Sequence, residues 1–276
     1  FNLNNIISYI TKIQRLHMEN KDKVAIITGS SAGLGASVAI GLAKRGVNVV
    51  INYSKSKEKA EEIEKACKGY EVETLCVRGN VASDEDCKYL VGKTIKKFNK
   101  VDILVNNAGT TKFANHQKLN ALTDKDFINI YKVNVIGPYQ MIRAVEPYMK
   151  KQKYGSIVNV SSIAGKTGIG SSIAYAASKG ALNTMTLSLA KSLGPEIRVN
   201  TVCPGFIGTG WFLDRFGEKT FNRIVKDQED LTPLKRAGTP EDIAKSVIFF
   251  CLEGGEHITG ETLISDAGMH LALPKQ

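Results

Sequence analysis

Tyr175 and Lys179 stand four residues apart in Tyr175-Ala-Ala-Ser-Lys179, a stretch that reads as helix. That spacing puts both side chains on one helix face, with the ammonium within reach of the phenol. A free tyrosine titrates at about pH 10, and a nearby cation stabilises phenolate and lowers that value. Tyr175 can therefore exchange a proton with a substrate oxygen. The pair alone carries little weight, because Tyr and Lys at this spacing are usually surface neighbours. Its meaning depends on Ser162, thirteen positions earlier, just past the strand-like Ser156-Ile-Val-Asn-Val-Ser161. Strand C-termini of an open parallel sheet border the ligand crevice, so a hydroxyl there can hydrogen-bond a substrate oxygen. By itself Ser162 reads as an ordinary turn serine.

A second chemical feature lies near the start of the chain. Thr28-Gly-Ser-Ser-Ala-Gly-Leu-Gly35 follows a short β-branched run and precedes a helical stretch from Ala36 to Lys44. A pyrophosphate can approach backbone amides at a helix N-terminus only where side chains are small, and the helix dipole favours the anion. Glycine turns of this kind also arise for steric reasons alone. The expected contacts are Gly29, Ser30, Ser31, Ala32, Gly33, Leu34 and Gly35. Dinucleotide folds carry a carboxylate for the ribose 2′-hydroxyl about 20 residues further on. Here that segment is Asn52-Tyr53-Ser54-Lys55, with no acidic residue before Glu58. Contacts from Tyr53, Ser54 and Lys55, with Ser30 and Ser31 as donors, favour NADP(H) over NAD(H). The alternative is that Lys55 is a solvated residue at the start of a helix.

The Thr-Gly-x-x-x-Gly-x-Gly spacing resembles the short-chain dehydrogenase/reductase family. Further segments fall in that family's order: Asn106-Asn-Ala-Gly109, Asn134 in Asn-Val-x-Gly137, Ser162, Tyr175 with Lys179, and Pro204-Gly205. The resemblance spans roughly residues 20–270. It implies an α/β, Rossmann-type, doubly wound parallel sheet of about seven strands with helices on both faces. It also implies a nicotinamide-dependent oxidoreductase. By the resemblance, Tyr175 is the general acid for reduction, and Lys179 lowers its pKa and holds the nicotinamide ribose. Ser162 orients and polarises the carbonyl, and Asn134 holds a water linking Lys179 to solvent. The nicotinamide end would lie against Pro204, Gly205, Ile207 and Thr209. Asn80 and Val81 would meet the adenine end, while Asn107, Ala108 and Gly109 line the groove. Helices at 123 to 149 and 172 to 193 would pair subunits into a homotetramer.

Within that family the chain is most similar to the 3-oxoacyl-[acyl-carrier-protein] reductases. The similarity rests on Val101 to Gly109, Pro204-Gly-Phe-Ile207 and Thr259 to Gly268. Sugar, steroid and other ketone reductases share these segments, so a free-ketone substrate stays open beside a carrier-bound one. A dinucleotide-binding protein without turnover would be expected to break the acid and base set, which is intact here. An acidic carrier would meet Lys150, Lys151 and Lys153, which equally suit a solvated helix end. Gly194-Pro195-Glu196, one residue shorter than the pattern, departs from the carrier-protein reductases.

These residues need a scaffold, and the chain supplies its signature: β-branched runs alternating with longer helical patterns. Strands are expected near 23 to 28, 47 to 53, 72 to 77, 101 to 106, 155 to 161, 197 to 202 and 261 to 265. Thr123-Asp-Lys-Asp126 and Thr239-Pro-Glu-Asp242 predict capped helix starts. Gly205 to Leu234 interrupts the alternation and predicts a loop or short-helix excursion over a site. Its Phe206, Trp211, Phe212 and Phe216 suit either an apolar lid or a core or subunit contact.

Residues 20–276 read as one dinucleotide-binding domain and residues 1–19 as an N-terminal extension. The first seventeen residues suit a mobile extension, a targeting remnant or a docked amphipathic helix. The net charge of +10 comes from scattered lysines with acids nearby, which points to no nucleic-acid partner. No run approaches the ~18 apolar residues of a membrane span, so no membrane partner is expected. Five cysteines with no Cys-x-x-Cys pair predict neither a metal site nor a disulfide framework. A reducing compartment follows, cytoplasmic or an organelle matrix if a targeting segment has been removed.

Overall fold

The computed structural model describes residues 19–271, so the readings of the N-terminal segment up to residue 18 lie outside the described residues. Seven parallel strands form one sheet in the order β3-β2-β1-β4-β5-β6-β7. They are β1 (Val24–Ile27), β2 (Asn48–Tyr53), β3 (Thr74–Arg78), β4 (Ile103–Asn106), β5 (Gly155–Val160), β6 (Ile197–Pro204) and β7 (Thr262–Ser265). Each strand starts and ends within two residues of its expected bounds. The exceptions in kind are small: β6 runs on to Pro204, carrying its last residue into the site.

Strand alternation explains why the sheet is covered on both faces. Ala25, Ile27, Val49, Ile51, Ile103 and Val105 point into one core, shared with helices α1 (Gly33–Ala43) and α9 (Pro240–Cys251). Val24, Ile26, Val50, Leu104, Ile157 and Val199 point into the other. That second core is closed by α3 (Asp84–Phe98), α5 (Gly137–Lys151) and the C-terminal end of α7 (Ile173–Leu193). The remaining helices are α2 (Lys57–Lys68), α4 (Asp124–Tyr131), the short α6 (Ala164–Thr167) and α8 (Gly210–Leu231). This is the Rossmann-type doubly wound architecture expected from the chain.

The strand order reverses between β1 and β4, and a crevice opens beyond the strand C-termini at such a switch point. Two elements next to it differ from expectation. The region 123 to 149 is not one helix: α4 and α5 are joined by a π turn at Lys132–Ile136 that contains Asn134. The region 205 to 234 is largely helical, forming α8 with a break at Gly217, where φ is 74° and ψ 162°. Both predicted capping boxes are present, at Thr123 with Asp126 and at Thr239 with Asp242.

Candidate active site

The glycine turn joins β1 to α1. Gly29 has φ +62° and Gly33 φ +55°, a region that disfavours any side chain. A β-carbon on Gly29 would also come within 3.0 Å of the Ala108 Cα. The turn is tied to its neighbours by short polar side chains. Thr28 Oγ1 accepts from the Asn107 and Ala108 amides at 3.0 and 3.1 Å. Asn107 Nδ2 donates to the Thr28 and Gly29 carbonyls at 3.0 and 3.1 Å. From the other side, Asn52 Oδ1 accepts from the Gly29 amide at 3.1 Å, and its Nδ2 donates to the Gly79 carbonyl at 3.0 Å.

Helix α1 begins at Gly33 with no side-chain cap hydrogen bond and no acidic residue in its first turn. The starts of α3, α4, α7 and α9 are capped by Ser83, Thr123, Ser172 and Thr239, each accepting from a backbone amide. A cradle of small residues at an uncapped helix N-terminus is what a dinucleotide pyrophosphate requires. Ser31 and Ala32 lie at the surface of this cradle, and Leu34 lines the cleft below it.

One expectation for this turn needs correction. Ser30 is fully buried, its hydroxyl donating to the Ile27 carbonyl at 2.8 Å and accepting from the Asn52 amide at 3.0 Å. It has no donor left for a 2′-phosphate, because it is spent on holding the turn against β2. Tyr53 is half-buried, and Ser54 and Lys55 are exposed at the end of β2. Arg78, which sequence reasoning passed over, is the register partner of Tyr53, and its Nε lies 3.4 Å from the Ser54 carbonyl. Two cationic side chains thus flank this corner. Pairing across the sheet, invisible in a linear spacing, brings the second one there.

Asn80 is exposed past the end of β3, its Oδ1 accepting from the Ala82 amide at 3.1 Å. Val81 is buried, and its carbonyl accepts from Gln140 Nε2 at 2.8 Å.

On the other side of the crevice, Ser172 starts α7 by accepting from the Tyr175 amide at 3.2 Å, which fixes Tyr175 in the first turn. Lys179 follows on the same face, with its Nζ 5.6 Å from the centroid of the Tyr175 ring. Its ammonium donates to the Val160 carbonyl at 2.8 Å, and its own carbonyl accepts from Ser161 Oγ at 3.1 Å. Gly165 lets this pairing happen: a β-carbon there would come within 2.6 Å of the Lys179 carbonyl carbon. Ser162, next along the chain from Ser161, accepts from the Ala164 amide at 3.1 Å and lies beside the Tyr175 phenol.

Burial shifts both ionisable groups. It raises the Tyr175 phenol above its ordinary value, and hydrogen bonding from Ser162 pulls it partly back. This reverses the expectation of a lowered phenol, because desolvation outweighs the effect of neighbours. Burial lowers Lys179 from 10.5 to about 8.

Asn134 is buried in the π turn, and both hydrogens of its amide are taken. Its Nδ2 donates to the Thr110 carbonyl and to Ser178 Oγ, both at 3.0 Å, while Oδ1 accepts from the Thr110 amide at 2.8 Å. A water at Asn134 therefore has to use another atom than the amide nitrogen. What the side chain does hold is the chain beyond β4, so that Gly109 passes close to both Asn134 and Lys179.

Ser162, Tyr175 and Lys179 share one cleft of about 1320 Å³ with Asn107, Gly109, Pro204, Gly205, Ile207 and Thr209. Ala108 sits beside it, under Gly29. The cleft is roofed by Phe206 and Phe212, whose rings are 5.0 Å apart, and Phe216 stacks near Phe212 at 6.1 Å. Among the described residues no group of three or more His, Cys, Asp or Glu is placed to hold a metal, and no helix is long and apolar enough to cross a membrane. The thiols are dormant: burial pushes Cys67, Cys87 and Cys251 up to about 12.

Comparison with known proteins agrees with this geometry. A family model described as enoyl-(acyl carrier protein) reductase matches residues 29–270. The chain is 40% identical over 248 residues to ketoacyl reductase 2 of the granaticin polyketide synthase of Streptomyces violaceoruber, covering 90% of this chain and 96% of that one. It is 34% identical over 252 residues to the 3-oxoacyl-[acyl-carrier-protein] reductase FabG of Staphylococcus epidermidis, covering 91% and 100%. A crystal structure of a short-chain dehydrogenase/reductase from Burkholderia xenovorans superposes with a TM-score of 0.84 at 37% identity, covering 91% of this chain and 98% of that one. The chain belongs to the short-chain dehydrogenase/reductase family of NAD(P)-dependent oxidoreductases.

Proposed function

We propose that this enzyme uses NADPH to reduce the ketone of a 3-oxoacyl thioester, carried on an acyl carrier protein, to the 3-hydroxyacyl product. The observation that carries the reading is the convergence of Ser162, Tyr175 and Lys179 on one cleft that Leu34 of the glycine turn also lines. The relatives named above, a ketoacyl reductase and a 3-oxoacyl-[acyl-carrier-protein] reductase, support the substrate class.

When bound, the nicotinamide supplies the hydride. Charge then develops on the carbonyl oxygen, where Ser162 and Tyr175 place two O–H donors. Tyr175 gives its proton to that oxygen. Its raised pKa keeps the phenol protonated at neutral pH, so the acid form is the resting one. Lys179, 5.6 Å from the ring, stabilises the phenolate left behind. The glycine turn, Gly29 to Gly35, would hold the pyrophosphate, and Asn80 with Val81 the adenine end. Lys55 and Arg78 would meet a 2′-phosphate, which with no carboxylate at that corner favours NADPH. Exposed apolar residues on α4, the π turn, α5 and α7, namely Ile128, Ile136, Tyr139, Ile173 and Leu187, support assembly of subunits through those faces.

One observation favours a second reading, a free ketone. Lys150, Lys151 and Lys153 precede β5, at the N-terminal end of that strand and opposite the cleft, about 20 Å of strand away. Lys150 is also paired with Glu146 at 2.8 Å. The cluster does not border the cleft of its own chain.

Nicotinamide oxidation should be followed with acetoacetyl-carrier protein, acetoacetyl-CoA, and a panel of sugar and steroid ketones, using NADPH and NADH. A kcat/KM highest for the carrier-bound ketone with NADPH is expected. A free ketone turned over faster refutes the carrier-bound substrate, and equal use of NADH refutes the cofactor preference.

A further inference from the structure

We infer that Asp266 and His270 are positioning residues for hydride transfer, holding the wall of the cleft against which the nicotinamide ring lies. This deepens the oxidoreductase reading of the same cleft and rests on the nicotinamide lying beside Pro204 and Gly205. The cleft supports that placement, since Leu34, Ser162, Tyr175, Pro204 and Gly205 all line it. A cofactor that reaches from the glycine turn to a carbonyl at Ser162 and Tyr175 runs through the space that Pro204 and Gly205 border.

Gly205 has no side chain to fix its place, and its support comes from the turn after β7. Pro204 is in register with Ser265, and the Gly205 amide donates to the Ser265 carbonyl at 3.1 Å. Behind it stands Asp266: a β-carbon on Gly205 would come within 2.7 Å of the Asp266 β-carbon. The Asp266 side chain is only 2% exposed, and a carboxylate buried this far needs partners. It accepts from the Gly268 amide at 2.9 Å and from the His270 amide at 2.8 Å. The imidazole Nδ1 of His270 lies 3.0 and 2.9 Å from its two oxygens. A carboxylate accepts, so Nδ1 carries the hydrogen.

The turn built on these bonds is strained. Ala267 has φ 56° and Gly268 φ 83°, the first a left-handed conformation at a residue with a side chain. Such a conformation persists where its surroundings impose it, and here one carboxylate gathers the amides of Gly268 and His270. The same turn holds the base of the roof. Leu234, just past α8, donates its amide to the Ala267 carbonyl at 3.2 Å, and a β-carbon on Gly268 would come within 2.8 Å of Pro233 Cγ. Asp266 and His270 thus fix Gly205 on one side of the turn and the exit of α8 on the other.

His270→Leu keeps bulk and removes the donor, and His270→Asn returns an amide N–H near the Nδ1 position. Asp266→Asn turns one acceptor into a donor facing the amides and repeats the loss should His270→Leu not fold. Fluorescence titration gives the affinity for NADPH and, by competition, for 2′,5′-ADP, which keeps the phosphorylated adenosine end and lacks the nicotinamide. His270→Leu should lower kcat about tenfold and weaken NADPH about fivefold. Affinity for 2′,5′-ADP should change less than twofold, and His270→Asn should recover most of both losses. Equal weakening of NADPH and 2′,5′-ADP, or an unchanged kcat, overturns the positioning role. Gly205→Ala separates that failure from failure of the nicotinamide placement. If Gly205→Ala weakens NADPH selectively and His270→Leu does not, the placement stands and the role of Asp266 and His270 falls. If neither variant is selective, the placement beside Gly205 is wrong and the proposal falls with it.

Discussion

Burying Lys179 costs this fold stability, and the cost should vanish with rising pH in a way that a Lys179→Met variant makes visible. The fall of its pKa from 10.5 to about 8 corresponds to roughly 3 kcal/mol. Below about pH 8 the ammonium is charged in folded and unfolded chain alike, and the full cost is present. Between about 8 and 10.5 the folded chain has shed its proton while the unfolded chain keeps it, so stability rises with pH. Above 10.5 the cost is gone. Methionine has no proton to exchange, but it leaves the Val160 carbonyl without its donor. That loss is of order 1–3 kcal/mol and does not depend on pH. The informative quantity is therefore the difference between wild type and variant as pH changes. From pH 7 to pH 9 wild type should gain about 1 kcal/mol on the variant, roughly 2–4 °C in Tm for a domain of this size. Differential scanning calorimetry of both proteins across that range measures it. A Tm difference that stays constant, or moves in the variant's favour as pH rises, refutes a depressed Lys179.

Tyr175→Phe should lower kcat by about a thousandfold while dinucleotide affinity, read by fluorescence titration, stays within twofold; near wild-type turnover would remove Tyr175 as the acid. Lys55→Ala and Arg78→Ala should each raise the KM for NADPH about tenfold and leave that for NADH alone, and equal effects on the two cofactors would exclude a 2′-phosphate role. A β-carbon in Gly35→Ala would come within 2.5 Å of Asn107 Nδ2 and 2.6 Å of the Gly29 carbonyl. That variant should unfold about 1–3 kcal/mol more easily in urea and bind both dinucleotides more weakly; unchanged denaturation and binding would show that the turn has slack. Asn52→Ala should weaken NADPH and NADH together by loosening the Gly29 amide, and a selective effect on NADPH would mean that Asn52 acts on the phosphate corner instead.

The sheet was legible because a parallel strand buried on both faces has to be apolar throughout, as Val24-Ala-Ile-Ile27 and Ile103-Leu-Val105 are. The helix starts were legible because a capping box is a local bargain among four residues, complete within Thr123 to Asp126. Tertiary pairing was not. Arg78 reaches the corner beside Ser54 only through the β2–β3 register, and nothing near Arg78 in the chain marks it. Ser30 has the type and place of a ligand donor, yet its hydroxyl turns inward. The break at Gly217 and the length of α8 escaped a composition reading too, because glycines and aromatics in sequence suggest a loop as readily as a roof.

The site is assembled from backbone held by short polar side chains, and this explains both what the sequence motif contains and what it hides. Thr28, Asn52 and Asn107 join the ends of β1, β2 and β4 around the glycine turn. Asn134 and Ser178 hold the Thr110 segment to α7. Ser161 and Gly165 hold α7 at Lys179. Deeper in the sheet, Asn106 donates to Asn159, which donates to Thr186, whose hydroxyl is hydrogen-bonded to that of Thr201 at 2.7 Å. Buried amides and hydroxyls are costly unless paired, so each such link penalises any slip of one loop against the next. An apolar core of equal volume would hold the strands without defining these angles. The chemistry needs Ser162 and Tyr175 aimed at one oxygen, and a misplacement of about 1 Å can cost a hundredfold in rate. Asn, Ser and Thr at the strand ends are thus the part of the fold that turns a sheet edge into a site.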